Sequence, residues 1–203
     1  AKQALLPIYE QLNVNHVQRV TSTDIFSEQI NIVIEEQVPI VSFTFGLPHE
    51  DVLKRLIDAG IIVIGTATTV AEAKLVEQAG CQYVVAQGKE AGGHRGSFNE
   101  PNEFHATRDL VRAMKEVITI PIIAAGGIID ARDVADLTAD GAEYVQVGSP
   151  FIITDECEVA DIVKLEIQRL THNNTVYTKA FSGKMARGVK NEFVEYMEGK
   201  VVA

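Results

Sequence analysis

The chain has 203 residues, 46 % apolar and 23 % charged, the balance of a sequence that folds around a buried core. Its formal net charge of −10 is spread over many short segments without a basic block, which argues against nucleic acid or an anionic membrane surface as a partner. Cys81 and Cys157 show no metal-ligand spacing and read as free thiols of a reducing cytoplasm, no apolar stretch nears the roughly 20 residues of a membrane span, and AKQALLPIYEQ lacks signal-peptide features.

In chain order, LLPIYEQLNVNHV opens as a helix, and short apolar runs then alternate with helical patterns. The runs are Pro39 to Phe45, Ile61 to Gly65, Tyr83 to Gln87, Pro121 to Ala125, Tyr144 to Val147 and Val176 to Ala180. Each is apolar on consecutive residues, the pattern of a parallel strand covered on both faces. Pro39 and Pro121 stand at first-strand positions, where no ladder donor is needed. Between the runs, Thr69 with Glu72 makes a capping-box pattern for VAEAKLVEQA, closed by Gly80. Asp130 caps ARDVADLTAD, closed by Gly141. A weak repeat supports this division: DAGIIVIG, QAGCQYVVAQG and ADGAEYVQVG each pass from a helix-ending glycine through a strand to a second glycine. The expected fold is a (β/α)8 TIM barrel present in part, with about six β/α units in one domain over residues 1–203. About two N-terminal units are expected to be missing; a complete open α/β sheet is the alternative.

Active sites of parallel barrels lie at the carboxyl ends of the strands. Gly126-Gly127 and Gly148-Ser149 follow consecutive strands there. Absent side chains let a phosphate approach backbone N–H groups, and the serine adds a hydroxyl donor. Alone, Gly126-Gly127 is equally a tight turn. Gln146 faces either the barrel interior or a ligand. QGKEAGGHRG, residues 87–96, ends another strand: Gln87 can bond a flat heteroaromatic ring, and Gly92-Gly93 clear space for it. His94 then stands beside that ring, suited to removing a proton from an acidic carbon or to bonding a substrate anion. His16, His49, His105 and His172 lack such a setting. Lys89, Glu90 and Arg95 read as exposed charges, and Phe98 as a pocket wall or a loop anchor.

AQGKEAGGHRG, then IPIIAAGGI, then YVQVGSPF resembles the nitronate monooxygenase family, formerly 2-nitropropane dioxygenases, over about Pro39 to Asn191. The later SGKMARGVKN is similar to that family's SGRPARG…N segment, with Lys184 and Met185 in place of Arg-Pro, and reads equally as a lead into the terminal helix. The resemblance implies an FMN enzyme on a TIM barrel that oxidises alkyl nitronates or nitroalkanes with molecular oxygen to a carbonyl compound and nitrite. It implies His94 as the catalytic residue. It also implies FMN contacts from Gln87, Gly92, Gly127 and the segment Gln146, Val147, Gly148 and Ser149, to which the glycine argument adds Gly93 and Gly126. The family's first flavin-contacting strand and its C-terminal covering helices are not recognised here. An FMN-dependent enoyl-acyl-carrier-protein reductase using NAD(P)H, with a similar EAGGH-like loop, and a noncatalytic flavin-binding fragment are the competing expectations. A homo-oligomer stays open.

Overall fold

The computed structural model describes residues 2–14, 24–99, 103–170 and 174–200. His16, His172 and the last three residues of the expected opening helix, 15–17, lie outside them. That helix forms as α1 (Lys2–Gln11), followed by α2 (Phe26–Glu35).

Five of the six apolar runs become one parallel sheet: β1 (Ile40–Phe43), β2 (Ile62–Ala67), β3 (Tyr83–Gln87), β5 (Ile122–Ala125) and β6 (Tyr144–Gln146), hydrogen-bonded in that order. Between them run α3 (Glu50–Asp58), α4 (Val70–Gln78), α5 (Thr107–Lys115) and α6 (Ala131–Ala139). Each strand lies beside the next in the chain, so right-handed crossovers put all four helices on one face. This is the winding of a (β/α)8 barrel wall rather than of a doubly wound sheet. Pro39 and Pro121 precede β1 and β5 as expected, and their carbonyls accept from Ile62 and Val84 on the neighbouring strands.

The core lies between sheet and helices. Val63, Val84, Ile122 and Ala124 meet Leu56, Val76, Leu110, Val111 and Met114, all at most 1 % exposed. On the other face the end strands depart from the sequence expectation of two covered faces. Ile40 is 51 % and Tyr144 54 % exposed, Tyr144 meeting the Tyr83 ring edge-on at 5.9 Å.

The sixth run corrects the expected topology. β7 (Thr175–Thr178) pairs antiparallel with β8 (Ala186–Val189), which pairs antiparallel with the two-residue β4 (Gly93–His94). The seven residues 179–185 joining β7 to β8 are too short for the crossover that a parallel pair requires. Gly183, at φ +83, turns the chain back instead. The sheet is followed by α7 (Ser149–Ile152) and α8 (Asp161–Gln168), and α9 (Glu192–Met197) follows the hairpin.

The predicted capping box forms at Thr69/Glu72, and the Asp130 cap proves to be a second one, closed by Asp133. The repeated glycine connection also has a common geometry. Gly60, Gly80 and Gly141 have positive φ and donate to Ile57, Glu77 and Thr138, while Ile61, Cys81 and Ala142 donate to Leu56, Val76 and Leu137. That is the Schellman pattern, closed by an apolar contact. Burial pushes the Cys81 thiol up to about 11, so it acts as a neutral core side chain.

α2 ends in the same pattern, but Gln37 occupies its left-handed position at φ +50. A residue with a Cβ costs about 1–2 kcal/mol there, partly offset by the greater chain freedom of glycine when unfolded. Gln37→Gly is expected to raise the stability measured by urea unfolding by about 0.5–1 kcal/mol.

Asp140 joins α6 to α5, accepting from Arg108 Nε at 2.5 Å and Arg112 Nε at 2.7 Å. Arg108, with Arg112 behind it, holds the Asp140 carboxyl below its ordinary value of 3.8. A depressed carboxylate stabilises the fold above that value, and the contribution disappears as pH falls through the folded value. The gap in urea midpoint between wild type and Asp140→Asn is therefore expected to be widest at pH 5–7 and to close below about 3.8.

Candidate functional site

The loop 88–96 leaves β3 at its carboxyl end and comes back over the sheet. Gln87 sets its shape. Its Nε2 donates to the His94 carbonyl at 3.1 Å, and its Oε1 accepts from Gly96 N at 2.7 Å. One amide thus clamps the backbone on both sides of the histidine. The loop needs its glycines for space as well. A Cβ on Gly88 would fall inside the Thr107 backbone, and one on Gly96 would come 2.5 Å from Thr44 Oγ1.

His94 is exposed and pairs with Ala186 in β8, while Arg95 N donates to Met185 O at 2.9 Å. His94 Nε2 lies 2.6 Å from Ser182 Oγ, which also accepts from Lys184 N at 3.3 Å. The SGKMARG segment thus supplies the partner of the candidate histidine, a function that sequence reasoning did not give to Ser182. The Phe45 ring stands edge-on to the imidazole, centroids 6.0 Å apart, with Lys184 Nζ 5.0 Å from the same ring. His49 instead caps α3, and His105 pairs with Glu103.

Two expected exposed charges are not exposed. Arg95 is only 5 % accessible, donates to Thr68 O and Glu103 O, and stacks on Phe104. Burial lowers its guanidinium from the ordinary range, while Tyr177 and Glu72 oppose that shift. Glu90 is half-buried because its carboxylate accepts from Thr107 N at 2.8 Å and Thr107 Oγ1 at 2.7 Å, capping α5, whose own N-cap residue, Ala106, makes no side-chain bond. Lys89 is exposed as expected. Arg187, left outside the expected site, donates to Glu90 O at 2.5 Å, and Tyr177 donates to Lys89 O. Burial pushes the Tyr177 phenol up against the lowering influence of Arg95 and Arg187, keeping it a donor. Phe98 packs against the core and is an anchor; Glu72 Oε1 holds its N–H at 2.8 Å.

The other predicted residues gather on the same rim. Gly126 and Gly127 have φ of +119 and +73 and abut Ala91 and Glu90. A Cβ on Gly92 would come 2.8 Å from Ser149 Oγ, so the histidine loop meets the start of α7 there. Among the described residues, the N–H groups of Gly127, Gly148 and Ser149 have no protein acceptor. Gly93 takes φ +78 within β4. Val145 and Val147 pack on the core, so Gln146 between them points to the face away from the helices. A cleft of about 160 Å³ beside the Gly126-Gly127 turn is lined by Glu90, Asp133 and Asp136 together with Arg108, which pairs with Asp136.

Parallel strands in chain order, helices on one face and glycine turns gathered at the carboxyl ends define the class, a (β/α)8-barrel protein with its candidate site on the rim. The chain belongs to the nitronate monooxygenase family, whose model matches residues 3–203. This is a family of flavin-dependent oxidoreductases. A probable nitronate monooxygenase of Staphylococcus aureus (strain MRSA252) is 45 % identical over 184 residues, which cover 89 % of this chain and 52 % of that protein. The chain thus spans about half the length of the curated relatives it matches. A nitroalkane oxidase from Streptomyces ansochromogenes superposes with a TM-score of 0.91 at 32 % identity, over 98 % of this chain and 59 % of its own. FabK from Thermotoga maritima superposes at 0.76 and 31 % identity, over 95 % and 60 %. Among the described residues, no helix is long and apolar enough to cross a membrane.

Glu90 joins the histidine loop to α5 through Thr107. Glu90→Ala is expected to cost about 0.5–2 kcal/mol in urea unfolding, the usual cost of losing a helix cap, and Glu90→Gln, which keeps an acceptor oxygen, to cost less.

Proposed function

We propose that the protein catalyses the FMN-dependent oxidation of alkyl nitronates, and of nitroalkanes deprotonated in its site, by molecular oxygen to a carbonyl compound and nitrite. The observation that carries this reading is His94, hydrogen-bonded to Ser182 beside a glycine rim with free N–H groups. Family membership and the superposition on the nitroalkane oxidase support it.

The residues present fit FMN. The free amides of Gly127, Gly148 and Ser149 would receive its phosphate, with Gly126 shaping the turn. Gly92 leaves Ser149 Oγ in place, and Gly93, the remaining amide capacity of Gln87, Gln146 and the Val147 backbone would border the rest. When bound, FMN supplies the electron transfer and the reaction with oxygen.

This chain supplies position, charge and a proton acceptor. With Nε2–H donating to Ser182 Oγ, the free lone pair of His94 is on Nδ1 and takes the α-proton of a nitroalkane there. The resulting imidazolium keeps an acceptor for its Nε2–H, and the gain of charge strengthens that bond. A nitronate arrives already ionised, so for it His94 only orients and neutralises. Lys184 and the buried Arg95 add positive charge beside the histidine, in a chain whose net charge is −10.

The enoyl-acyl-carrier-protein reductase reading shares the loop, but it calls for rapid flavin reduction by NAD(P)H. The test is the anaerobic visible spectrum of the FMN-loaded chain before and after addition of an alkyl nitronate or NADPH. Bleaching by nitronate is the expected result; bleaching by NADPH alone would replace this reading with the reductase. His94→Ala is expected to lower turnover by about 10²–10⁴-fold with nitroalkane and by less with preformed nitronate. Equal losses would remove the base role.

A further inference from the structure

Phe45 has a conformation that its residue type does not favour. Its φ is +64, Gly46 follows at φ +102, and a bulky residue in the left-handed region is a genuine outlier. The strain sits at the carboxyl end of β1, on the rim that carries the histidine, and Thr44 one residue earlier faces Gly96 of the histidine loop. Such strain persists only where the surrounding structure enforces it, and it gathers at ligand-contacting positions.

What the conformation achieves is the placement of an apolar ring. Phe45 is 40 % exposed, although the neighbouring Phe43 packs on the core. Instead of joining that core, the ring stands edge-on to His94 under the Lys184 ammonium. An open aromatic surface thus lies between a proton acceptor and a cation, which is the arrangement an amphiphilic anion needs: its charged head beside Lys184 and His94, its hydrocarbon along the ring.

We propose that Phe45 is the specificity-determining residue of this site, its ring forming the apolar wall that receives the alkyl group of the substrate. The assignment rests on the nitronate reading for the identity of the head group only. It makes the left-handed backbone at 45–46 a device for keeping the ring out of the core and at the histidine.

The test uses the FMN-loaded chain and the straight-chain series from ethyl to hexyl nitronate. Dissociation constants come from anaerobic difference spectra at early times, and kcat/KM from oxygen consumption. In the wild type, affinity and kcat/KM are expected to rise roughly two- to fourfold per added methylene, until the chain outgrows the ring. In Phe45→Ala the rise is expected to flatten; in Phe45→Leu it is retained in part. Phe45→Gly separates ring from backbone, because it removes the strain together with the side chain. Flattening in a Phe45→Gly protein at least as stable as wild type assigns the effect to the ring. Parallel chain-length slopes in wild type and variants, or no slope in the wild type, would overturn the assignment. Binding with a Phe45-dependent slope but no turnover would overturn the nitronate reaction and leave the wall standing. Failure of the wild type to bind any member would overturn both.

Discussion

The carboxamide of Gln87 has one end on His94 O and the other on Gly96 N, and the placement of the histidine on the rim depends on that clamp. A strand end is rigid, whereas a loop of nine residues over its edge is not, unless its backbone donors and acceptors are taken up. Here they are taken up by groups from distant parts of the chain. Lys89 N donates to His105 O, Arg95 N to Met185 O, and Gly93-His94 form a ladder with Ala186-Arg187. Because the last two partners belong to the β7–β8 hairpin, the histidine is fixed between the barrel wall and a segment about 90 residues further along. Ser182 reaches the imidazole only because that hairpin is docked.

This explains which parts of the molecule could be read from the sequence. Five strands, the Thr69/Glu72 capping box, the Asp130 cap and three helix-ending glycines were legible because each is set by neighbours within a few residues. His94, Gly92 and Ser149 could be singled out as candidates because glycine and histidine at a strand end already restrict the chemistry, and the structure brings the loop of the first two against the third. The direction of β7 was not, since an apolar run reads alike whether its partner is parallel or antiparallel. Glu90 and Arg95 read as solvated charges because nothing local reveals that one caps α5 and the other lies under Phe104. Phe45 gave no signal at all: positive φ at a phenylalanine is imposed by the fold.

Charge on the rim is arranged by direction more than by number. The acidic side chains close to the glycine turns are turned outward or occupied: Glu90 on the start of α5, Asp133 on the N–H groups of Ile129 and Asp130, Asp136 on Arg108. Glu72 is likewise spent on Thr68, Thr69 and Phe98. Lys184 remains exposed beside the histidine, and Arg95 lies buried next to it with no carboxylate in ion-pair contact among the described residues. An acidic protein can in this way present a locally positive site.

The two ends of the strands use glycine for different physical reasons. At the amino ends, Gly60 and Gly80 have room for a side chain, and it is their positive φ that calls for glycine, so that the next residue can turn into the core. At the carboxyl ends, Gly88, Gly96 and Gly126 would drive a Cβ into Thr107, Thr44 or Ala91, so there glycine serves close packing of one loop on another. The first kind stabilises a connection and tolerates whatever lies beyond it. The second brings the histidine loop, the Gly126-Gly127 turn and the start of α5 within bonding distance of one another. It lets loops from three strands meet around the loop that carries the histidine, and it makes each of them sensitive to a single added methyl group.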